Sequence, residues 1–127
     1  MKLRTLKDMG VGLAILFGSR AAGKAVHPKS DVDIGIVFIS RPKGDAVQIY
    51  DELYSYFRKR YPRQRLDIVY LDETPYRLQF RAMTEGKVLY AVSKTFLADW
   101  RETVMNRYFD FSYIDKICSD AFLKEVA

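Results

Sequence analysis

The stretch Leu16–Ile36 contains residue types that could hold a metal–nucleotide complex. Gly18-Ser19 closes one apolar run, and the Asp31/Asp33 pair opens the next. Successive side chains of a strand point to opposite faces, so Asp31 and Asp33 would project side by side. Adjacent carboxylates repel each other unless a cation lies between them. Because Mg²⁺ takes carboxylate oxygens together with substrate phosphates, the pattern predicts a site for a metal–nucleoside triphosphate complex.

Small and polar residues precede these acids. Gly18 lets backbone approach a phosphate closely, and Ser19 offers a hydroxyl and an N–H to its oxygens. Arg20 follows directly; it is either a phosphate ligand or an ordinary surface arginine. His27 is the only histidine and lies in the next loop, where a histidine more often faces solvent than a ligand. The candidate nucleotide-binding residues are therefore Gly18, Ser19 and Arg20.

A third carboxylate lies further along the chain. The segment Arg65–Leu71 is typical of a short buried strand with Asp67 near its start. The alternative is that Asp67 is a surface residue paired with Arg63 or Arg65, although such an exposed pair would contribute little to stability. Three acids that enter apolar strands, two of them after a Gly-Ser loop, favour a catalytic site. The candidate catalytic and metal-binding residues are Asp31, Asp33 and Asp67.

In this combination of motifs the chain resembles the DNA polymerase β-like nucleotidyltransferases. The short length and the segment after Asp67 are most similar to the minimal nucleotidyltransferase subfamily. The resemblance covers roughly Leu13–Tyr90 well. Ser19 and Asp31 are separated by 11 residues, one more than is usual for the family. The extra residue falls within Lys24–Ser30, a loop in which insertions cost little.

The resemblance implies an activity and its cofactors. Asp31, Asp33 and Asp67 would hold two Mg²⁺ ions, with ATP as substrate and Gly18, Ser19 and Arg20 around its triphosphate. Attack on the α-phosphorus would transfer AMP and release pyrophosphate. Positioning and charge neutralisation supply most of the acceleration in such reactions, so no cysteine or histidine nucleophile is required.

The resemblance also implies a partner. Members of the subfamily transfer AMP to a tyrosine of a cognate HEPN-domain toxin, an RNase, and so neutralise it. We therefore expect an antitoxin that meets its toxin in a hetero-oligomer or that forms a homo-oligomer. Two alternatives remain: a nucleotidyltransferase acting on a small molecule or an RNA end, and a non-catalytic antitoxin that neutralises its toxin by binding.

Composition indicates one compact domain. The chain has 127 residues, 49% hydrophobic and 14% aromatic, which suits a single nucleotidyltransferase domain over 1–127 with a C-terminal helical segment at 93–127. The lone Cys118 excludes an internal disulfide framework. No apolar run is long enough to cross a bilayer, and the first residues contain no signal-peptide core. We expect a cytoplasmic protein without membrane contact.

Much of the net charge of +5 is concentrated at residues 58–65, RKRYPRQR. Such a cluster could contact nucleic-acid phosphates, or it could be a solvated helix end favoured by the helix dipole. A basic rim beside an acidic metal site could also attract a nucleotide or an acidic partner. We expect the solvated helix end and no direct nucleic-acid binding.

Hydrophobic periodicity predicts an α/β fold, a small mixed β-sheet with helices packed on one side, as in the palm-like nucleotidyltransferase fold. The predicted strands are Gly12–Phe17, Asp31–Ile39, Leu66–Leu71 and Lys87–Val92. The predicted helices are a short one within Met1–Met9, one from Asp45 to Phe57, one from Thr74-Pro75 to Gly86, one from Ser93 or Thr95 to Tyr108, and a last one after a break at Phe109-Asp110.

Overall fold

The computed structural model describes residues 5–18, 31–40 and 44–126, with side chains as far as Ala121. Its elements follow one another in the order strand, strand, helix, strand, helix, strand, helix. The strands are β1 (Val11–Phe17), β2 (Val32–Phe38), β3 (Leu66–Tyr70) and β4 (Lys87–Ala91), and the helices are α1 (Ala46–Arg58), α2 (Tyr76–Glu85) and α3 (Lys94–Val126). A single 3₁₀ turn, Leu71–Glu73, follows β3 directly.

The four strands form one mixed sheet in the order β3-β2-β1-β4. β1 pairs antiparallel with both β2 and β4, whereas β2 and β3 are parallel. The α1 helix supplies the crossover that a parallel pair requires. The predicted α/β class and mixed sheet are confirmed. In the described ranges no helix is both long and apolar enough to span a membrane.

Helices cover both faces of the sheet, so the prediction that they lie on one side is wrong. Alternate residues of a strand face opposite sides, and the core accordingly divides in two. Ala14, Ile34 and Ile36 pack with the buried side chains of α1. Leu13 and Ile15, from the other face of β1, pack with buried side chains of α2 and α3.

Local capping residues fix where two helices begin. The Asp45 carboxylate accepts a hydrogen bond from the Val47 N–H at 3.0 Å and caps α1, which confirms the predicted start of this helix at Asp45. The Ser93 hydroxyl accepts a bond from the Phe96 N–H at 3.0 Å and caps α3 in the same way. Thr74 does not cap α2, because its hydroxyl donates to the Leu71 carbonyl in the preceding turn.

The predicted break at Phe109-Asp110 is wrong, since α3 continues through it to Val126. No proline or glycine follows Gly86 in the sequence, so no residue sterically stops the helix. The Tyr108 ring also stacks on Phe80 of α2, with centroids 3.9 Å apart, and thereby holds the helix across this point.

The predicted helix within Met1–Met9 is not seen over its described part. Residues 6–10 form turns that lead into β1, and the residues before Thr5 lie outside the described ranges. Leu6 and Met9 are nevertheless buried in the α1-side core. Over the described part of this segment, Leu6 therefore lies in a buried turn.

A candidate active site at the amino ends of the parallel strands

Strand register brings two of the predicted acids together. Asp33 on β2 is the register partner of Asp67 on β3, and both residues stand near the amino ends of these parallel strands. Register partners on neighbouring strands share a face, so both carboxylates project on the same side of the sheet. Asp31 is exposed and precedes β2 by one residue. All three acids thus lie at one end of the sheet.

The charge environment of Asp33 shows how close the acids are. Partial burial raises the pKa of the Asp33 carboxyl above its ordinary value of 3.8, and the negative charges of Asp67 and then Asp31 raise that pKa further. Each effect disfavours the ionised form of Asp33. The site is therefore electrostatically unfavourable for carboxylates alone and favourable for a cation.

Gly18 lies next to the Asp33 carboxylate, at the end of β1, which pairs with β2 on the side away from β3. Phe17, the last residue of β1, is the register partner of Asp33, and Gly18 follows it with a φ of +87°. A Cβ built on Gly18 would lie 2.7 Å from Oδ2 of Asp33. Both the positive φ and the close approach require glycine here. The other predicted residues of this loop, Ser19, Arg20 and His27, lie outside the described ranges.

The donor chemistry of the three acids fits a divalent cation. Carboxylate oxygens are the ligands that Mg²⁺ prefers, and a cation would relieve the repulsion that raises the pKa of Asp33. Among the described residues, no group of three His, Cys, Asp or Glu side chains is already arranged to hold a metal. Because Asp31 and Asp67 are exposed, rotation about their side-chain bonds can bring their oxygens toward a bound ion.

Lys87 lies at the same end of the sheet, a position that was not predicted from the sequence. It is the register partner of Leu16, one residue before Phe17, and its side chain is exposed. Because Phe17 is the partner of Asp33, Leu16 and its partner Lys87 belong to the opposite face of the sheet. The pairing of β1 with β4, distant in the sequence, was the missing signal.

A mixed sheet that carries acids on adjacent strands, with a glycine turn beside them, is the framework of a nucleotidyltransferase. The family model described as "Polymerase beta, Nucleotidyltransferase" matches residues 4–95. The chain belongs to this family.

Three solved structures with a similar fold are toxin–antitoxin complexes. A chain of a toxin–antitoxin crystallised with AMP-PNP is 20% identical, with a TM-score of 0.68 and coverage of 93% of this chain and 92% of that one. A chain of the MntA–HepT toxin–antitoxin is 19% identical, with a TM-score of 0.63 and coverage of 93% of this chain and 90% of that one. A chain from the complex of the tri-AMPylated Shewanella oneidensis HEPN toxin with the MNT antitoxin is 18% identical. Its TM-score is 0.61, and the match covers 90% of this chain and 84% of that one. No curated protein matches this chain.

Replacing Gly18 by alanine is expected to abolish nucleotide transfer. The new methyl group would displace the Asp33 carboxylate that its Cβ meets at 2.7 Å. Gly10→Ala is a matched control, because Gly10 has a φ of +83° but no atom lies within 4 Å of the position that a Cβ would take. Nucleotide transfer by both variants is measured with labelled nucleotide at equal folded fractions. The comparison separates the effect of the contact with Asp33 from the effect of backbone strain, which both variants share. Equal activity of Gly18→Ala and Gly10→Ala would remove Gly18 from the site.

The metal-free protein is expected to lose stability as pH rises through the pKa of Asp33. The folded state holds this proton more tightly than the unfolded state, because the folded pKa lies above 3.8. Below the pKa that Asp33 has in the unfolded state, the carboxyl is protonated in both states and costs no stability. Above the pKa that it has in the folded state, the full cost of its buried negative charge is present. The effect is measured as the melting temperature in EDTA across this pH range. Asp33→Asn should remove the part of the pH dependence that Asp33 contributes. A parallel slope in wild type and Asp33→Asn would contradict the electrostatic interpretation.

Proposed function

We propose that the protein is a Mg²⁺-dependent nucleotidyltransferase antitoxin that transfers AMP from ATP to a tyrosine of a cognate HEPN-family RNase toxin. The observation that carries the proposal is the register of Asp33 with Asp67 on adjacent strands, beside the Gly18 turn. Family membership supports the reaction class. The fold shared with an antitoxin of a tri-AMPylated toxin supports the choice of acceptor.

Each residue of the candidate site has a role in this reaction. Asp31, Asp33 and Asp67 would hold Mg²⁺, which neutralises triphosphate charge when bound. Gly18 leaves room for the triphosphate beside Asp33, and Ser19 and Arg20 are proposed to orient its oxygens. Asp67, at the outer strand of the sheet, favours loss of the acceptor's proton.

The bond changes define what must be detected. The tyrosine oxygen forms a bond to the α-phosphorus, the bond from that phosphorus to the bridging oxygen breaks, and pyrophosphate leaves. The acceptor therefore gains the mass of AMP, and one pyrophosphate appears for each AMP attached. No oxidant or covalent enzyme intermediate is needed.

The direct test mixes the purified protein, ATP and Mg²⁺ with a HEPN toxin encoded beside its gene. We expect the toxin to gain one or more AMP units on tyrosine and to lose RNase activity. Omission of Mg²⁺ is the control and should prevent both changes. RNase inhibition with no gain in toxin mass would instead identify a non-catalytic antitoxin that acts by binding.

A further inference from the structure

A basic loop, defined here as residues 58–65, stands beside the candidate active site. It begins at Arg58, the last residue of α1, and ends at Arg65, the residue before β3; it also carries Lys59, Arg60 and Arg63. We propose that this basic loop docks an acidic surface of the protein acceptor next to the hydroxyl that receives AMP. The inference rests on the proposed function and specifies how its acceptor is recognised.

Backbone pairing places the end of the loop at the acids. The Val32 N–H donates to the Arg65 carbonyl at 2.8 Å, so pairing with β2 extends one residue beyond β3. Arg65 lies two residues before Asp67, and alternation puts both on the same face of the sheet. Both side chains are exposed. A cationic residue therefore lies on the same face as the carboxylates, at the amino end of β3.

The strand order indicates the side from which the acceptor approaches Asp67. Gly18 ends β1, Asp33 lies on β2 and Asp67 lies on β3, which is the edge of the sheet. The Gly18 turn thus lies on the β1 side of Asp33, and the basic loop enters the sheet at the amino end of β3 on the other side. A molecule that brings its hydroxyl toward Asp67 from the amino end of β3 therefore comes close to Arg65.

The loop is held in shape while its outer cations stay available. The Phe57 carbonyl accepts from the N–H groups of Arg60 and Tyr61, both at 3.0 Å, and the Arg58 guanidinium donates to the Gln64 carbonyl. Lys59, Arg63 and Arg65 are exposed, and within the described ranges they form no ion pair. Unpaired arginines in a fixed loop suit bidentate binding of carboxylates.

The surroundings of the loop favour an acidic protein over RNA. Single-stranded nucleic acid is usually bound by cations together with exposed aromatic rings on which bases stack. The two tyrosines here, Tyr56 and Tyr61, are half-buried and pack against the core. Arg60 lies over the Tyr56 ring, 5.9 Å from its centroid, and covers it further. The loop thus offers charge without a stacking surface.

The test compares charge reversals that change the net charge equally. Arg63→Glu/Arg65→Glu alters the loop, and Lys94→Glu/Arg101→Glu alters two exposed cations on α3. Binding of a fluorescent deca-glutamate peptide and of a fluorescent oligo-uridine RNA is measured by anisotropy at about 0.05 M and about 0.5 M salt. We expect the loop variant to bind the peptide at least tenfold more weakly than the α3 variant does, with the difference lost at high salt.

Transfer kinetics complete the test. With the HEPN toxin as acceptor, the loop variant should raise the KM for toxin at least tenfold while leaving kcat and the Kd for ATP within twofold. An equal effect of both double variants on the peptide, or tighter binding of RNA than of peptide by the loop, would overturn the inference. If wild type transfers no AMP to toxin, the proposed function fails, whereas the peptide arm still decides whether the loop binds carboxylates.

Discussion

Asp33→Asn is expected to reduce AMP transfer by about a thousandfold or more while the protein stays folded. Asp33 is the acid that the other two surround, since both Asp67 and Asp31 raise its pKa. Loss of its charge removes a central ligand for Mg²⁺, and metal ions supply several kcal/mol of charge stabilisation in such reactions. Asparagine has nearly the same shape and removes a repulsive charge, so the metal-free variant should melt no lower than wild type.

Asp51→Asn on α1 is the matched control for this variant. It makes the same chemical change at an exposed position of a different element. We expect wild-type transfer from Asp51→Asn, and weakened Mg²⁺–ATP binding from Asp33→Asn measured by calorimetry. If Asp33→Asn unfolds the protein, or binds Mg²⁺–ATP as wild type does, the acids have a structural role and the site is wrongly assigned.

Asp67→Ala is expected to bind the toxin but to fail to neutralise it. Asp67 is exposed on the edge strand and packs in neither core cluster, so its removal leaves the fold and the surrounding surface intact. What is lost is the carboxylate that favours loss of the acceptor's proton. In cells that express the toxin, the variant should give no rescue, and mass spectrometry should find toxin without AMP.

The amount of antitoxin sharpens this experiment. An enzyme can neutralise its target substoichiometrically, whereas a blocker must match its target by mass action. Wild type should therefore protect at a small fraction of the toxin concentration. Asp99→Ala on α3, also an exposed acid, should behave as wild type. Protection by Asp67→Ala equal to that of wild type, with unmodified toxin, would mean that neutralisation occurs by binding alone.

The sequence was sufficient for features that depend on neighbouring residues. Asp45 caps α1 through a bond that spans two residues, and such local chemistry is visible in the sequence. The strands around Asp33 and Asp67 were predictable because each acid enters an apolar run. Their roles as metal ligands stay a prediction. Their pairing in register was not predictable, because register depends on how the strands assemble.

Features that depend on distant contacts were the ones predicted wrongly. Periodicity shows which side of a helix is apolar, but not which face of the sheet that side covers, so α1 was placed together with α2 and α3. The continuity of α3 through Phe109 likewise depends on Phe80, which lies almost thirty residues earlier and packs on Tyr108 and Phe109. Tertiary packing here outweighs local propensity.

The residues of the candidate site and the basic loop all lie in the part of the chain before α2. Gly18 and the three acids of the candidate site all lie in the first 67 residues, whereas α2, β4 and α3 follow them. Later elements support the site through the core behind β1, without contributing one of these carboxylates. Substitutions on the exterior of the second half can therefore change that surface without moving the acids or the basic loop. The same division gives an engineer a first half that holds the catalytic and docking residues and a second half whose exterior can be varied.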